Sequence, residues 1–277
     1  MFGNNYYALV SGFREYALDA ETKGFDTESI LAEVGEVLSK RDNACVRLLY
    51  TYYDCENLVA LHNGSMARNA LGRLSAEEIE EELRNPSHLP ERIARVIRAY
   101  ANPEGEDADE TDTAVPFARN LFAAYYDECA ASGSRFLREW SEFDRTLRNV
   151  IAATTARAQG VAIDTVTVGE GEVVEQLQRS SASDFGLRGE LGYIDTVIAT
   201  VNDEHNLLDK ERKLDRIRWD MASELSTFDY FDINAVLAYL VKINLVARWT
   251  LLDRKYGRKM LERLMAELDG KELINKL

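Results

Sequence analysis

The sequence predicts an all-α fold, arranged as a multi-lobed helical array with at most one or two short strands. Apolar side chains recur at helical spacing through most of the 277 residues. All four prolines lie in residues 86–116, so the regions on either side lack the commonest helix breaker. Glycine-flanked β-branched residues, which are typical of strands, are concentrated in residues 160–171.

Helices of the first region begin at recognisable signals. Thr27–Ser39 carries an apolar stripe, and Asp42 opens a second helix with apolar residues at i, i+3 and i+4 spacing. Ser75 and Glu78 have the spacing of a capping box. Arg92–Tyr100 follows as a short basic helix. Tyr6–Val10, ahead of them all, is a candidate short strand.

An acidic segment interrupts the helical pattern. Asn102–Asp112 has six carboxylates within the nine residues that start at Glu104. Such a run repels itself and stays solvated, which predicts an exposed linker; the alternative, an acidic metal site, lacks an ordered scaffold. The predicted organisation is therefore an N-terminal helical lobe over residues 1–101, an acidic, proline-containing linker over 102–116, and a C-terminal helical region of two lobes over 117–277.

Helical spacing resumes after the linker and continues to the end of the chain. The predicted helices are Phe117–Ala131, Ser134–Arg157, Glu172–Arg179, Leu187–Val201, Leu207–Leu225, Ile233–Lys255 and Arg258–Leu268. Val161–Val168 is predicted to be a short strand or an extended connector.

The helix that begins at Ile233 is the most apolar of the chain. Asp232 is placed to cap its first free backbone amides. About half of its circumference is polar and the other half is apolar. The polar residues are Asn234, Lys242, Asn244 and Arg248. Packing against other helices of the same chain is the favoured interpretation, and packing against a partner is the alternative.

Charge and cysteine content exclude several classes of function. The 33 basic and 48 acidic residues give a net charge of −15, which argues against nucleic acid or an anionic lipid surface as the main partner. Cys45, Cys55 and Cys129 show no pairing pattern, as expected in a reducing compartment. The N-terminus does not resemble a signal peptide, and no stretch reaches the ~20 apolar residues needed to cross a bilayer. The expected location is cytoplasmic.

Motifs for catalysis or metal binding are not found in the sequence. His62, His88 and His205 stand outside any zinc or di-iron spacing, and the hydrolase, phosphate-loop and dinucleotide motifs do not occur. Asn202–Asn206 partly matches the second magnesium motif of all-helical terpene cyclases, but Lys210 replaces its last carboxylate; a capped helix start is the alternative. The sequence predicts no catalytic, cofactor-binding or metal-binding residues and no bound cofactor. We therefore expect that the protein is not an enzyme.

Two further groups of side chains have an ordinary structural interpretation. Glu77, Glu78 and Glu80–Glu82 are expected on a solvated helix face, where carboxylates keep ordinary pKa values. The tyrosine pairs at 52–53 and 125–126 are expected in the core and at its boundary.

Five segments, spread in order over nearly the whole chain, carry a resemblance to a known family. They are Tyr6–Gly12, Asp42–Leu61, Asp144–Gly160, Ser183–Leu187 and Trp219–Gly257. Together they resemble bacterial domain-of-unknown-function family 2764, which is itself similar to a divergent C subunit of V-type (A/V-type) ATP synthases, the equivalent of the eukaryotic d subunit. The Asp184-Phe185-Gly186 sequence is also found in kinases, but no other kinase motif occurs here, and Gly186 is interpreted as a turn before a helix at Leu187.

The resemblance implies a fold and a role. The C subunit has three similar helical lobes around a funnel, and Asp42, Asp144 and Asp232, 102 and 88 residues apart, could open corresponding helices. The implied role is a non-catalytic rotor subunit that couples the central stalk to the membrane proteolipid ring. Its partners would be other V-type ATPase subunits, with neither a small-molecule substrate nor nucleic acid, and its membrane association would be peripheral, through the complex at the inner membrane.

Two alternatives remain open to the sequence. The first is a stand-alone helical scaffold or regulatory module that recruits a protein partner through the last helix. The second, which has least support, is an all-α enzyme that uses magnesium.

Overall fold

The fold is all-α, as the helical spacing predicts. A computed structural model describes residues 5–18, 25–105, 113–203 and 207–252, with side chains described through Thr250. The helices in this part of the chain are α1 Tyr7–Ser11, α2 Thr27–Val37, α3 Lys40–His62, α4 Ala76–Arg84, α5 Glu91–Ala101, α6 Phe117–Ala130, α7 Arg135–Gln159, α8 Glu172–Arg179, α9 Ile194–Asn202, α10 Leu207–Leu225 and α11 Ile233–Leu252.

Short polar side chains set where several of these helices begin. The side chains of Ser39, Ser75 and Ser134 accept hydrogen bonds from backbone amides in the first turns of α3, α4 and α7. The capping box predicted for Ser75 and Glu78 is present with both of its hydrogen bonds. Asp232 caps α11 as predicted, because its Oδ1 accepts from the amides of Asn234 and Ala235 at 2.9 and 3.2 Å.

The three long helices α3, α7 and α11 begin at nearly equal intervals. Their caps, Ser39, Ser134 and Asp232, are 95 and 98 residues apart. The helices also meet at corresponding positions. Asn234 at the start of α11 bonds to the start of α7, where its Oδ1 accepts from Ser134 Oγ at 3.1 Å. Midway along α3 and α11, Tyr50 donates to Asn244 at 2.7 Å.

Matching polar clamps support an internal repeat. Asp54 of α3 lies 15 residues after its cap, and its Oδ1 accepts from the amides of Arg73 and Leu74 at 2.7 and 3.0 Å. Asn149 of α7 lies 15 residues after its own cap and bonds to both backbone groups of Val168, at 2.8 and 2.9 Å. In each case the helix holds the loop that follows it through the residue 19 positions farther along the chain.

Helix packing repeats in the same order. α6 packs on α3, α5 and α7, and α10 packs in the same way on α7, α9 and α11, while α11 returns to contact α2 and α3. The buried apolar side chains form two clusters. One lies between α3, α4, α5 and α6 and includes Leu121. The other joins α1, α2 and α3 to α7–α11 and includes Leu147. Because α3 contributes to both clusters, it connects the two parts of the core.

Several sequence predictions are wrong in detail. Tyr7–Ser11 is helix rather than strand, and Ile163–Thr165 forms a 3₁₀ turn. Asp144 does not open a helix: it lies in the third turn of α7 and is buried, because Ser134 supplies the cap ten residues earlier. α3 likewise begins at Lys40, with Asp42 in its first turn.

The segment after the Asp184-Phe185-Gly186 sequence also differs from its prediction. Phe185 and Gly186 both have positive φ, 57° and 74°, and make the expected turn. The helix expected from Leu187 begins only at Ile194, after two further turns.

The apolar C-terminal helix packs inside the chain. Val236, Leu237, Leu240 and Ile243 are buried, which confirms the favoured interpretation of its apolar face. The helix predicted at Arg258–Leu268 and residues 106–112 of the acidic linker lie outside the described residues. Within the described part of the chain, none of the helices combines the length and the apolar character that a bilayer crossing requires.

Candidate functional site

A cavity of about 920 Å³ lies between the long helices. Its wall is made by α3, α6, α7, α10 and α11 and by residues 68–71 of the loop that follows α3. Asn69 closes this loop onto α3: its amide donates to Asn57 Oδ1 at 2.7 Å, and its side chain donates to Glu56 at 2.6 Å. Because α3, α7 and α11 all contribute to the wall, the cavity lies where the three long helices come together.

Asp144 is the first of two buried carboxylates on this wall. It accepts from Arg148 Nε at 2.7 Å, from Arg218 Nε at 3.3 Å and from the Tyr126 hydroxyl at 3.0 Å. Burial alone raises the pKa of this carboxyl, but the two guanidinium groups and the hydrogen bonds outweigh burial and hold the pKa below its usual value. Asp144 is therefore charged at neutral pH and ties α7 to α6 and α10.

Asp215 of α10 is the second buried carboxylate on the cavity wall, and its side chain is completely buried. It accepts from Arg218 at 2.9 Å, from Arg248 at 2.8 Å and from the Trp249 indole at 3.0 Å. Arg248 also bonds to Glu211. Arg218 is thus shared by the two buried aspartates. The result is a continuous network of alternating charges that joins α7, α10 and α11.

Aromatic side chains form much of the remaining wall. The Arg148 guanidinium lies over the Tyr52 ring, 4.4 Å from its centre. Tyr52, Tyr53 and Tyr126 all line the cavity, and burial raises the pKa of each hydroxyl. These hydroxyls therefore stay protonated at neutral pH, and that of Tyr126 donates to Asp144. The tyrosine pairs lie in the core and at its boundary, as the sequence predicts.

The two buried cysteines are not activated as nucleophiles. Burial raises the pKa of the Cys129 thiol to about 12 and also raises that of Cys55, and a protonated thiol is a poor nucleophile. Among the described residues, no three or more histidine, cysteine or acidic side chains group in a way that could hold a metal ion. Of the residues with the partial magnesium motif, 204–206 lie outside the described part of the chain.

The charge network is not foreseen by the sequence patterns. They indicate no site residue, and they assign Asp144 to a helix start. Asp215 and Arg218 are inconspicuous within a helix that carries charges on most of its surface. One signal points to the network: Arg248 lies on a largely apolar helix, where an arginine needs a partner on the helix packed against it.

Glu82 corrects another expectation. The sequence places it on the solvated face of α4, but its side chain is fully buried. It accepts from the amides of Ser87 and His88, both at 3.0 Å, and contacts His88 Nδ1 at 2.7 Å. The turn after α4 folds back over this carboxylate, which satisfies it and removes it from solvent. Glu82 holds this turn in place and does not line the cavity.

Fold and site together define an all-helical protein with quasi-repeated long helices around a cavity lined by buried ion pairs. The chain belongs to the family described as "Protein of unknown function (DUF2764)", whose model matches residues 3–271. A search among curated proteins finds no match.

Proposed function

We propose that this protein is a non-catalytic rotor subunit of a V-type ATPase or ATP synthase, which couples the central stalk to the membrane proteolipid ring. The observation that carries the proposal is the cavity whose wall includes all three long helices, α3, α7 and α11, which begin at nearly equal intervals along the sequence. The resemblance of the sequence to the C subunit of these motors implies three similar lobes around a funnel, and this geometry agrees with it.

The buried ion pairs also suit a part that transmits torque. A coupling subunit must resist shear between its lobes, and the Asp144–Arg218–Asp215–Arg248 network crosses from α7 through α10 to α11. Deforming the lobes would separate charges that have little access to solvent, which is unfavourable. In this proposal the mouth of the cavity receives the foot of the stalk, and the ring contact is made by polar loops.

Co-purification from native membranes tests the proposal. The tagged full-length chain, extracted in mild detergent, should bring down stalk and ring subunits. Ala70 is exposed at the cavity mouth, whereas Ala67 is exposed on the same loop outside the cavity. Ala70→Trp should lose the stalk subunits while Ala67→Trp keeps them. An assembled motor that contains none of the tagged chain would refute the role.

A protein-binding module independent of the motor is the second candidate. It is favoured by Phe228 and Tyr230, which are 85% and 67% exposed just before α11, since such aromatic residues are enriched at interfaces. The polar face of α11 itself gives it less support, because Asn244 and Arg248 bond within the chain. The same co-purification would then yield a partner other than motor subunits.

A further inference from the structure

The hydrogen-bonding groups on the cavity wall are unevenly used. The four acidic side chains are already engaged: Asp144, Asp215 and Glu211 by arginines, and Glu56 by the Asn69 side chain. The donors are not. Arg148 uses only Nε, toward Asp144, so both of its Nη atoms have no hydrogen-bond partner among the described residues.

Asn244 leaves a second donor unused. The residue is only 3% exposed and lines the cavity. Its Oδ1 accepts from Tyr50, but its amide nitrogen has no partner in the described part of the chain. All fully buried side-chain nitrogen and oxygen atoms in that part have a partner, so this nitrogen must border open space. A bound group that supplies acceptors would satisfy it together with Arg148.

Apolar and aromatic side chains make up much of the remaining wall. Leu49, Trp140 and Leu245 line the same cavity as Arg148 and Asn244. The volume of about 920 Å³ lies within the range of roughly 300–1,000 Å³ that is usual for small-molecule sites. Engaged acceptors, spare donors and apolar walls together favour a ligand with an acidic head and an apolar body.

We propose that this cavity binds a small amphipathic anion, whose carboxylate, phosphate or sulfonate head accepts hydrogen bonds from Arg148 and Asn244 and whose body packs on Trp140 and Leu245. A guanidinium group offers such a head paired hydrogen bonds that are stronger than neutral ones. The site does not depend on the rotor role, because it forms within the isolated chain.

Fluorescence titration of the full-length chain tests the site with two matched probes. Anilinonaphthalene sulfonate has the aromatic body and the anionic head, and phenylnaphthylamine has the body alone. Arg148→Met should weaken the sulfonate at least fivefold and change the neutral probe less than twofold. Arg145→Met, on the same helix but outside the cavity, should change neither. Equal sulfonate affinity in the two variants would overturn the proposal.

A second pair of variants applies even if the loss of Arg148 prevents folding. Ala152 lines the cavity, and Ala158 is exposed on the same helix outside it. Ala152→Phe should exclude both probes, and Ala158→Phe neither; unchanged binding to Ala152→Phe would overturn the proposal. Competition by hexanoate and by hexyl phosphate then distinguishes a carboxylate head from a phosphate head. These binding results are separate from co-purification, so either proposal can fail alone.

Discussion

At the scale of single residues, the buried charges are balanced by more than one partner each. Asp215 binds two arginines and an indole, and Arg218 binds two aspartates. Removing one charge from such a network leaves its partners buried without a compensating charge. The free-energy cost of this exceeds the stabilisation that the intact pair provides.

We therefore expect Asp215→Asn to be strongly destabilising. The substitution keeps the shape of the side chain but leaves Arg218 and Arg248 without a shared anion, so the free energy of unfolding should fall by about 3 kcal/mol. Urea unfolding followed by circular dichroism measures this. Asp220→Asn, on the exposed side of the same helix, should change stability by less than about 0.5 kcal/mol. Equal effects in the two variants would mean that the network does not stabilise the fold.

Asp54 gives a prediction of pH dependence with a defined sign. Burial raises the pKa of this carboxyl in the folded state, although the amides of Leu74 and Arg73 oppose the shift. The folded protein therefore holds its proton to a higher pH than the unfolded chain, whose value is about 3.9. As a result, stability decreases as pH rises from the unfolded pKa through the folded pKa.

Asp54→Asn should remove that decrease while keeping an oxygen acceptor for the loop. Asn149 does the same work at the corresponding position of α7, so the variant should be within about 1 kcal/mol of the parent at pH 7. Asp54→Ala should lose about 2 kcal/mol, because two backbone amides lose their acceptor. Unfolding measured from pH 3.5 to 7 separates these cases; a pH profile unchanged in the asparagine variant would contradict the assignment.

At the scale of elements, α7 is capped partly by another helix. Asn234 Oδ1 of α11 accepts from Ser134 Oγ at 3.1 Å and from the Phe136 amide at 3.2 Å. Ser134 itself accepts from the Leu137 amide at 3.2 Å. The start of α7 is therefore held by the start of α11. The caps of these two helices, Ser134 and Asp232, are 98 residues apart in the sequence.

Ser134→Ala and Asn234→Ala should consequently be coupled. Each alone should destabilise the protein by about 1–2 kcal/mol, the usual effect of losing a cap. The double variant should lose less than the sum by at least about 0.5 kcal/mol, since both changes remove the same hydrogen bond. A double-mutant cycle in urea makes the comparison. Strict additivity would show that the two helix starts are independent.

The same scale shows what the sequence can predict. Helices with a regular apolar stripe are predicted well, because this signal is local: α8 and α10 match their predicted bounds. The predictions for Asp144 and Glu82 are wrong for a common reason. From sequence alone, a carboxylate on a helix is interpreted as solvated or as a cap, because its partner is unknown. Here the partners are Arg218 from α10 for Asp144 and the turn at Ser87 for Glu82. Those contacts depend on tertiary packing.

At the scale of the whole molecule, the cavity could not be predicted in advance. Its wall combines side chains from five helices and one loop, spread from Leu49 to Arg248. The spacing of aspartates along the sequence indicates only the possibility of three lobes, and two of the three predicted helix starts are wrong. The equal spacing appears once Ser39 and Ser134 are identified as the caps.

The two core clusters bear on how the whole molecule unfolds. Leu121 of α6 and Leu147 of α7 are both fully buried, but in different clusters. The clusters share α3, whose Tyr50 faces one and Tyr52 the other, and the Tyr126–Asp144 hydrogen bond links α6 to α7. Neither cluster can therefore lose its packing without exposing part of the other.

We expect one cooperative unfolding transition, to which both leucines contribute. Leu121→Ala and Leu147→Ala should each lower the free energy of unfolding by about 2–5 kcal/mol, and each should speed amide hydrogen exchange in both clusters, because global unfolding becomes more frequent. Exchange followed by mass spectrometry on peptides from α5 and α9 measures the two clusters separately. If Leu121→Ala sped exchange in α5 but left α9 unchanged, the two clusters would be independent folding units, joined by contacts such as the Tyr126–Asp144 hydrogen bond.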